Sequence, residues 1–135
     1  MTKLDLLDKI KAAGYLSNEV AVTIEDFFEG NNFEGTIGVN IWPDSLTAQF
    51  FYERFKELKQ HPKVYDILIR IADTDGDWFY SDTAYINCSL TLDELREQLE
   101  VLKFDEIYDG WMYDKPVIID GSGNVDQTVF SLWWD

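Results

Sequence analysis

One cysteine and one histidine stand in a chain of 135 residues. That scarcity removes much nucleophilic and metal-centred chemistry at the outset. Cys88 has no second cysteine to pair with, which excludes an internal disulfide and fits a reducing compartment. It falls on the inward phase of a predicted strand, where a small buried hydrophobe is expected. His61 precedes Pro62 at a predicted helix end, and its spacing from Cys88 suggests no Cys–His dyad. The chain also lacks a Walker loop, a G-x-G-x-x-G turn, a G-x-S-x-G elbow and an H-x-x-x-H pair. No apolar run approaches the ~18 residues a membrane helix needs. The opening MTKLDLLDKIKAAGYL alternates charge with leucine and shows no secretory apolar core. A cytoplasmic location is expected.

Positive charge is scarce as well. Eleven Lys and Arg stand against 26 Asp and Glu, a net charge of −15. The imbalance is uneven. Residues 1–72 hold 8 basic and 11 acidic side chains, a balance of −3, whereas residues 73–135 hold 3 and 15, a balance of −12. Such a field repels nucleic acid and anionic membranes and attracts cationic partners. Hydrophobic residues at 46% and aromatics at 16% exclude a disordered chain. The length fits one domain with a real core.

The apolar periodicity predicts an α+β fold. Leu4, Leu6, Leu7 and Ile10 make an amphipathic helix capped by Thr2 and stopped at Gly14. Val20, Val22 and Ile24 alternate as an extended piece, and Thr23 then caps one or two helical turns through Phe28. Ile37, Val39 and Ile41 alternate as a strand over 36–41. Asp44 or Ser45 caps a helix carrying Leu46, Phe50, Phe51, Phe55 and Leu58. Residues 64–72 form the next strand, and Asp73 to Asp77 a turn with Asp-Gly at its heart. Thr83 to Cys88 returns as a strand with Ala84, Ile86 and Cys88 inward. Thr91 and Glu94 form a capping box for a helix burying Leu92, Leu95, Leu99 and Leu102. An edge piece is expected around Val117 to Ile119. The last strand, 128–134, turns Phe130, Leu132 and Trp134 inward. The order over 35–135 is βαββαβ, a ferredoxin-like two-layer sandwich of a four-stranded antiparallel sheet and two helices. Residues 1–34 are then an N-terminal helical extension of a single domain.

The stretches VTIEDFFEGNN, FYERF, DW…SDTAYI, DEIYDGW and WWD together resemble a family of short acidic bacterial proteins with no assigned activity. The resemblance runs from about Val22 onward. It implies a bacterial, single-domain protein and carries no functional residues with it.

In a βαββαβ sandwich the loops 42–45, 73–82 and 104–127 emerge at one end. They bring Asp44, Asp73, Asp75, Asp77, Asp82, Asp105, Glu106, Asp109, Asp114, Asp120 and Asp126 together, with Lys115 as the opposing charge. Aromatics among carboxylates suit a protein interface that steers a basic partner. The expected partner-binding residues are Trp42, Asp75, Asp77, Trp78, Tyr80, Asp109, Trp111, Tyr113 and Asp114. The plainer alternative makes these aromatics a small second core beneath long loops and the aspartates turn residues. Asp73-x-Asp75-x-Asp77 and Asp120-x-Ser122-x-Asn124-x-Asp126 start like calcium loops, yet both lack the closing glutamate and read as hairpin turns. The outer sheet face is expected to carry Val64, Leu68, Tyr85, Val129 and Trp133 among polar residues, covered by the N-terminal segment or a second subunit. The absence of a basic frame argues against RNA on that face. The leading expectation is a small acidic module, not an enzyme and without cofactor or metal. It binds a basic protein, in its most concrete form as an immunity- or antitoxin-like inhibitor. A divalent-metal-binding regulator or small carboxylate-dependent enzyme is the rival. An oligomerisation module, dimerising through the sheet face, is the third reading.

Overall fold

The hairpin of β2 (Val64–Arg70) and β3 (Thr83–Cys88) lies at the middle of a single mixed sheet. The structure is a computed structural model that describes residues 2–41, 46–121 and 128–135. These contain α1 (Lys3–Ala12), β1 (Val20–Thr23), α2 (Ile24–Phe28), α3 (Ala48–Lys59), α4 (Leu92–Leu99), β4 (Glu106–Asp109), β5 (Val117–Ile119) and β6 (Val129–Trp133). The strand order is β4-β6-β3-β2-β1-β5. All neighbours are antiparallel except β1 and β5. Among the described residues no helix is long and apolar enough to cross a membrane.

The ferredoxin-like expectation is therefore overturned. The described sheet has six strands and is mixed, and the four described α-helices are the two of the expected sandwich together with α1 of the expected N-terminal extension and the short α2. The cause lies at residues 36–41, which would have supplied a central strand. Gly35 and Gly38 take φ values of +73° and +64°, and the Ile41 N–H donates to the Gly38 carbonyl at 3.2 Å. That closes a turn, and among the described residues only Ile37 forms a β-bridge to another segment, at Ser81. A Cβ on Gly38 would lie 2.7 Å from Ile41 Cδ1 and 2.9 Å from Phe51 Cζ, so the glycine also lets the turn pack onto α3. With no strand between them, β3 and β6 pair directly.

The division at residue 34 does not follow the packing either. β1 lies inside the sheet between β2 and β5, and Leu6, Ile10, Val22, Phe27 and Phe28 share one buried cluster with Phe51, Ile86 and Trp134. The local signals for these elements hold. Thr2 with Asp5 and Thr91 with Glu94 form capping boxes. The Thr23 hydroxyl accepts from the Asp26 N–H at 3.1 Å. Thr47 caps α3, and Asp44 and Ser45, the expected caps, lie outside the described residues. Leu95, Leu99 and Leu102 are buried, whereas Leu92 stands exposed.

The helices cover one sheet face. On the other, Ala21, Leu68, Tyr85 and Val129 make a smaller cluster with Trp111 and Ile118. Val64, expected on this outer face, joins the main core because the β2–β3 register slips between Val64 and Asp66. Within the chain the cover on the outer face is not the N-terminal segment. It is residues 110–116, which run from the end of β4 at one sheet edge to β5 at the other.

Candidate functional site

The connection between β2 and β3 is long, and its base is tightly held. The Ala72 N–H donates to the Tyr80 carbonyl at 2.8 Å, and the Tyr80 N–H to the Asp73 carbonyl at 2.9 Å. The Ser81 N–H donates to the Thr36 carbonyl at 2.8 Å, joining the loop to the glycine turn. Asp73 Oδ1 accepts from the Asp75 N–H at 2.9 Å, a turn role for a carboxylate that looked like a calcium ligand. Among the described residues no three His, Cys, Asp or Glu side chains converge to hold a metal ion.

This loop walls a cleft of about 310 Å³, lined by residues 33–36 on one side and by Asp75, Asp77, Trp78, Phe79 and Tyr80 on the other. Trp78 is fixed by its indole N–H, which donates to the Phe27 carbonyl at 2.8 Å. Its ring stacks on exposed Phe33 at 6.0 Å and meets buried Phe79 edge-on at 5.8 Å. Burial pushes the Tyr80 hydroxyl up in pKa, with Asp82 and Asp135 adding to it. Asp75 and Asp77 are exposed, and neither forms an ion pair among the described residues. The Lys3 ammonium reaches the Gly76 carbonyl at 2.9 Å and leaves both carboxylates to solvent.

The other expected site residues are dispersed. Trp42 and Asp44 lie outside the described residues, as do Ser122, Asn124 and Asp126. Asp109 pairs with Phe130 at the start of β6, whereas Asp82 receives the Trp134 N–H beyond the other end of that strand. Asp109 is thus a sheet's length from Asp75 and Asp77. The unforeseen β4 is what carries the chain there. Trp111 packs edge-on against Tyr85 at 4.8 Å in the outer cluster. Tyr113 lies beneath the Arg70 guanidinium at 3.8 Å. Asp114 is exposed at the rim of a second cavity. Asp109 and Trp111 therefore do not share a surface with Asp75 and Asp77, whereas Asp114 lies at a cavity on the same β2–β3 connection.

Arg70 is the residue that sequence reasoning missed. Its Nε and Nη2 donate to the two Glu19 oxygens at 2.9 and 3.2 Å, and its Nη1 to Asp82 Oδ1 at 3.0 Å. Burial alone would lower its pKa, but the Glu19 bonds and the Asp82 charge hold it above its ordinary value. Burial likewise pushes the Tyr85 hydroxyl up, and that buried oxygen has no hydrogen-bond partner among the described residues. Beside Arg70 lies the second cavity, of about 240 Å³, lined by residues 15–19 and by Arg70, Ile71, Ala72 and Asp114. His61 Nδ1 accepts from the Lys63 N–H at 3.1 Å in a helix-terminal role. Cys88 is buried, and burial raises its thiol pKa.

Asp26 and Asp120 form a carboxyl pair at the far end of β5. Asp120 is also held by the Lys9 ammonium at 2.9 Å. Burial, then Asp120, pushes Asp26 from the ordinary 3.8 up to about 6. Its Oδ2 is buried and has no hydrogen-bond partner among the described residues, which favours the protonated, neutral form. The stability Asp26 contributes is complete below its unfolded value of 3.8 and is lost as the pH rises through about 6. Asp120 is held low by Lys9 and Asp26, so its contribution runs the other way and is lost only in acid. Asp26→Asn supplies a permanent amide donor to Asp120. We expect it to exceed wild type by about 1 kcal/mol at neutral pH, a figure reduced for the partial exposure of the site. The gap should close as the pH falls toward about 4. Melting curves of the two proteins across that range check this, and a gap that does not change with pH refutes it.

A family model described as the Uncharacterized protein YfbO family matches residues 1–123. The Uncharacterized protein YfbO of Escherichia coli (strain K12) is 28% identical over 120 residues, which covers 84% of this chain and 81% of that relative. These matches bear out the resemblance to a bacterial family and extend it back to the first residue. No solved structure matches.

Proposed function

This chain belongs to the Uncharacterized protein YfbO family, and we propose that it is a binding module for a basic protein partner. The reading rests chiefly on one observation. Exposed Asp75 and Asp77 flank a cleft whose wall is the stacked Phe33–Trp78 pair. A Lys or Arg side chain entering there meets an aromatic face and two carboxylates at once, which combines cation–π and ionic attraction. The net charge of −15 then steers a basic protein toward the cleft and away from nucleic acid. An inhibitor that covers a cationic active site is the most concrete form of this function. The location follows the same reading, with a cytoplasmic basic protein as the target.

The test is capture from the native host's lysate on immobilised protein, washed at low and then high salt. Wild type should retain a basic protein that salt releases. Asp75→Asn with Asp77→Asn should weaken that protein's binding about tenfold at low salt and flatten its salt dependence. Retention of no basic protein, or an unchanged salt slope in the double variant, overturns the proposal.

A further inference from the structure

We propose, building on that reading, that Leu16 is the apolar anchor of the same partner interface. Leu16 is 86% exposed, the most exposed of the large hydrophobic side chains described. It also takes φ +80°, where its Cβ crowds the backbone and glycine or asparagine would be at ease. The turn that displays it is held by several hydrogen bonds. The Ser17 and Asn18 N–H groups both donate to the Gly14 carbonyl, at 3.0 and 2.8 Å, and Asn18 Nδ2 donates to the Ala13 carbonyl at 3.1 Å. The Tyr15 hydroxyl donates to the Ala72 carbonyl at 3.1 Å and fastens the turn to the β2–β3 connection. A strained backbone therefore holds an apolar side chain out in water, although residues that relieve both defects would make the same turn.

Its surroundings indicate the occupant. Leu16 overhangs the cavity of about 240 Å³ that includes Glu19, Arg70 and Asp114. The Arg70 charge is taken up by Glu19 and Asp82, so Asp114 sets the field at the rim. The floor of this cavity is Ile71 and Ala72, and the acidic cleft is walled by Asp75 to Tyr80 of the same connection. A basic protein lying across that connection would place cationic side chains at Asp75, Asp77 and Asp114 and receive Leu16 in an apolar hollow. An anionic bilayer and a second copy of a chain with a net charge of −15 are both repelled from this surface.

The experiment uses the full chain with Leu16→Asn and Leu16→Met, and the basic protein captured by wild type, produced separately. Leu16→Asn should melt at or above the wild-type temperature while binding the captured protein at least tenfold more weakly. Its salt slope should be unchanged because no charge is altered, and Leu16→Met should restore most of the affinity. The Asp75 and Asp77 double variant has the opposite signature, a flattened slope. Wild-type affinity in Leu16→Asn overturns the anchor and leaves the acidic cleft standing. No basic protein retained by wild type overturns both. A lower melting temperature in Leu16→Asn shows a packing role and overturns the anchor. Dimerisation of wild type that Leu16→Asn abolishes also overturns it, in favour of self-association.

Discussion

Trp134→Ala is expected to lower the free energy of unfolding by about 4 kcal/mol. Trp134 is 1% exposed although it is the penultimate residue of the sequence. Its ring meets Phe51 of α3 edge-on at 5.5 Å, and its indole N–H donates to the Leu102 carbonyl at 2.8 Å. Its backbone N–H donates to the Asp82 carbonyl at 2.9 Å. The side chain thus ties the last strand to α3 and to the turn after α4. Truncation leaves a cavity and an unsatisfied carbonyl together, which is why its cost lies high in the usual range. A domain of this size has on the order of 5–15 kcal/mol in all, so a large share is removed. Trp134→Phe keeps most of the buried area and should cost about 1–2 kcal/mol, mainly for the orphaned Leu102 oxygen. Trp133→Ala is the control. That neighbour is only half-buried, and its removal should cost about 1 kcal/mol or less. Urea denaturation at constant slope checks all three, and equal losses at 133 and 134 refute the assignment.

The contrast between these two tryptophans is legible in the sequence. Alternation over 128–134 assigns Phe130, Leu132 and Trp134 to one side, and they lie in the main core. The cap at Thr2, the capping box at Thr91 and the stop at Gly14 are readable because each depends on residues within one turn of one another. Alternation misleads at Ile37, Val39 and Ile41, where the intervening Gly38 marks a positive φ rather than the other face of a strand. That one substitution of turn for strand removes the expected topology, and with it the gathering of three loops at one end. The part of the site that stays together, Asp75 to Tyr80, is local in sequence. Phe33 enters only through tertiary packing. β4 is hidden because EIYD is a short edge strand, largely exposed, with no inward alternation to reveal it. Leu16 carries no periodic signal at all, and only its backbone angle and exposure single it out.

Arg70→Met should cost about 3 kcal/mol, and the loss should persist in high salt. The Arg70 side chain is 15% exposed, and its carboxylate partners Glu19 and Asp82 are 24% and 22% exposed. Removing the guanidinium leaves those two carboxylates facing each other with no cation between them, in a chain already at −15. It also removes the plane on which Tyr113 stacks at 3.8 Å, and so loosens residues 110–116 over the outer cluster. The penalty therefore comes from the charges left behind more than from the lost pair. A methionine fills much of the arginine's volume, which isolates that effect. Adding Glu19→Gln and Asp82→Asn to Arg70→Met should restore more than half of the loss, since neutral amides need no cation. The double variant that keeps Arg70 should itself be destabilised, because a largely buried guanidinium then lacks its anions. Urea denaturation of the three variants at low and high salt completes the cycle. A loss below about 1 kcal/mol in Arg70→Met, or one abolished by salt, places this network among ordinary surface pairs. In that event residues 110–116 are held by Trp111 on Tyr85 and by the Met112 N–H to Ser131 Oγ at 3.0 Å, and the charges beneath them are incidental to the fold.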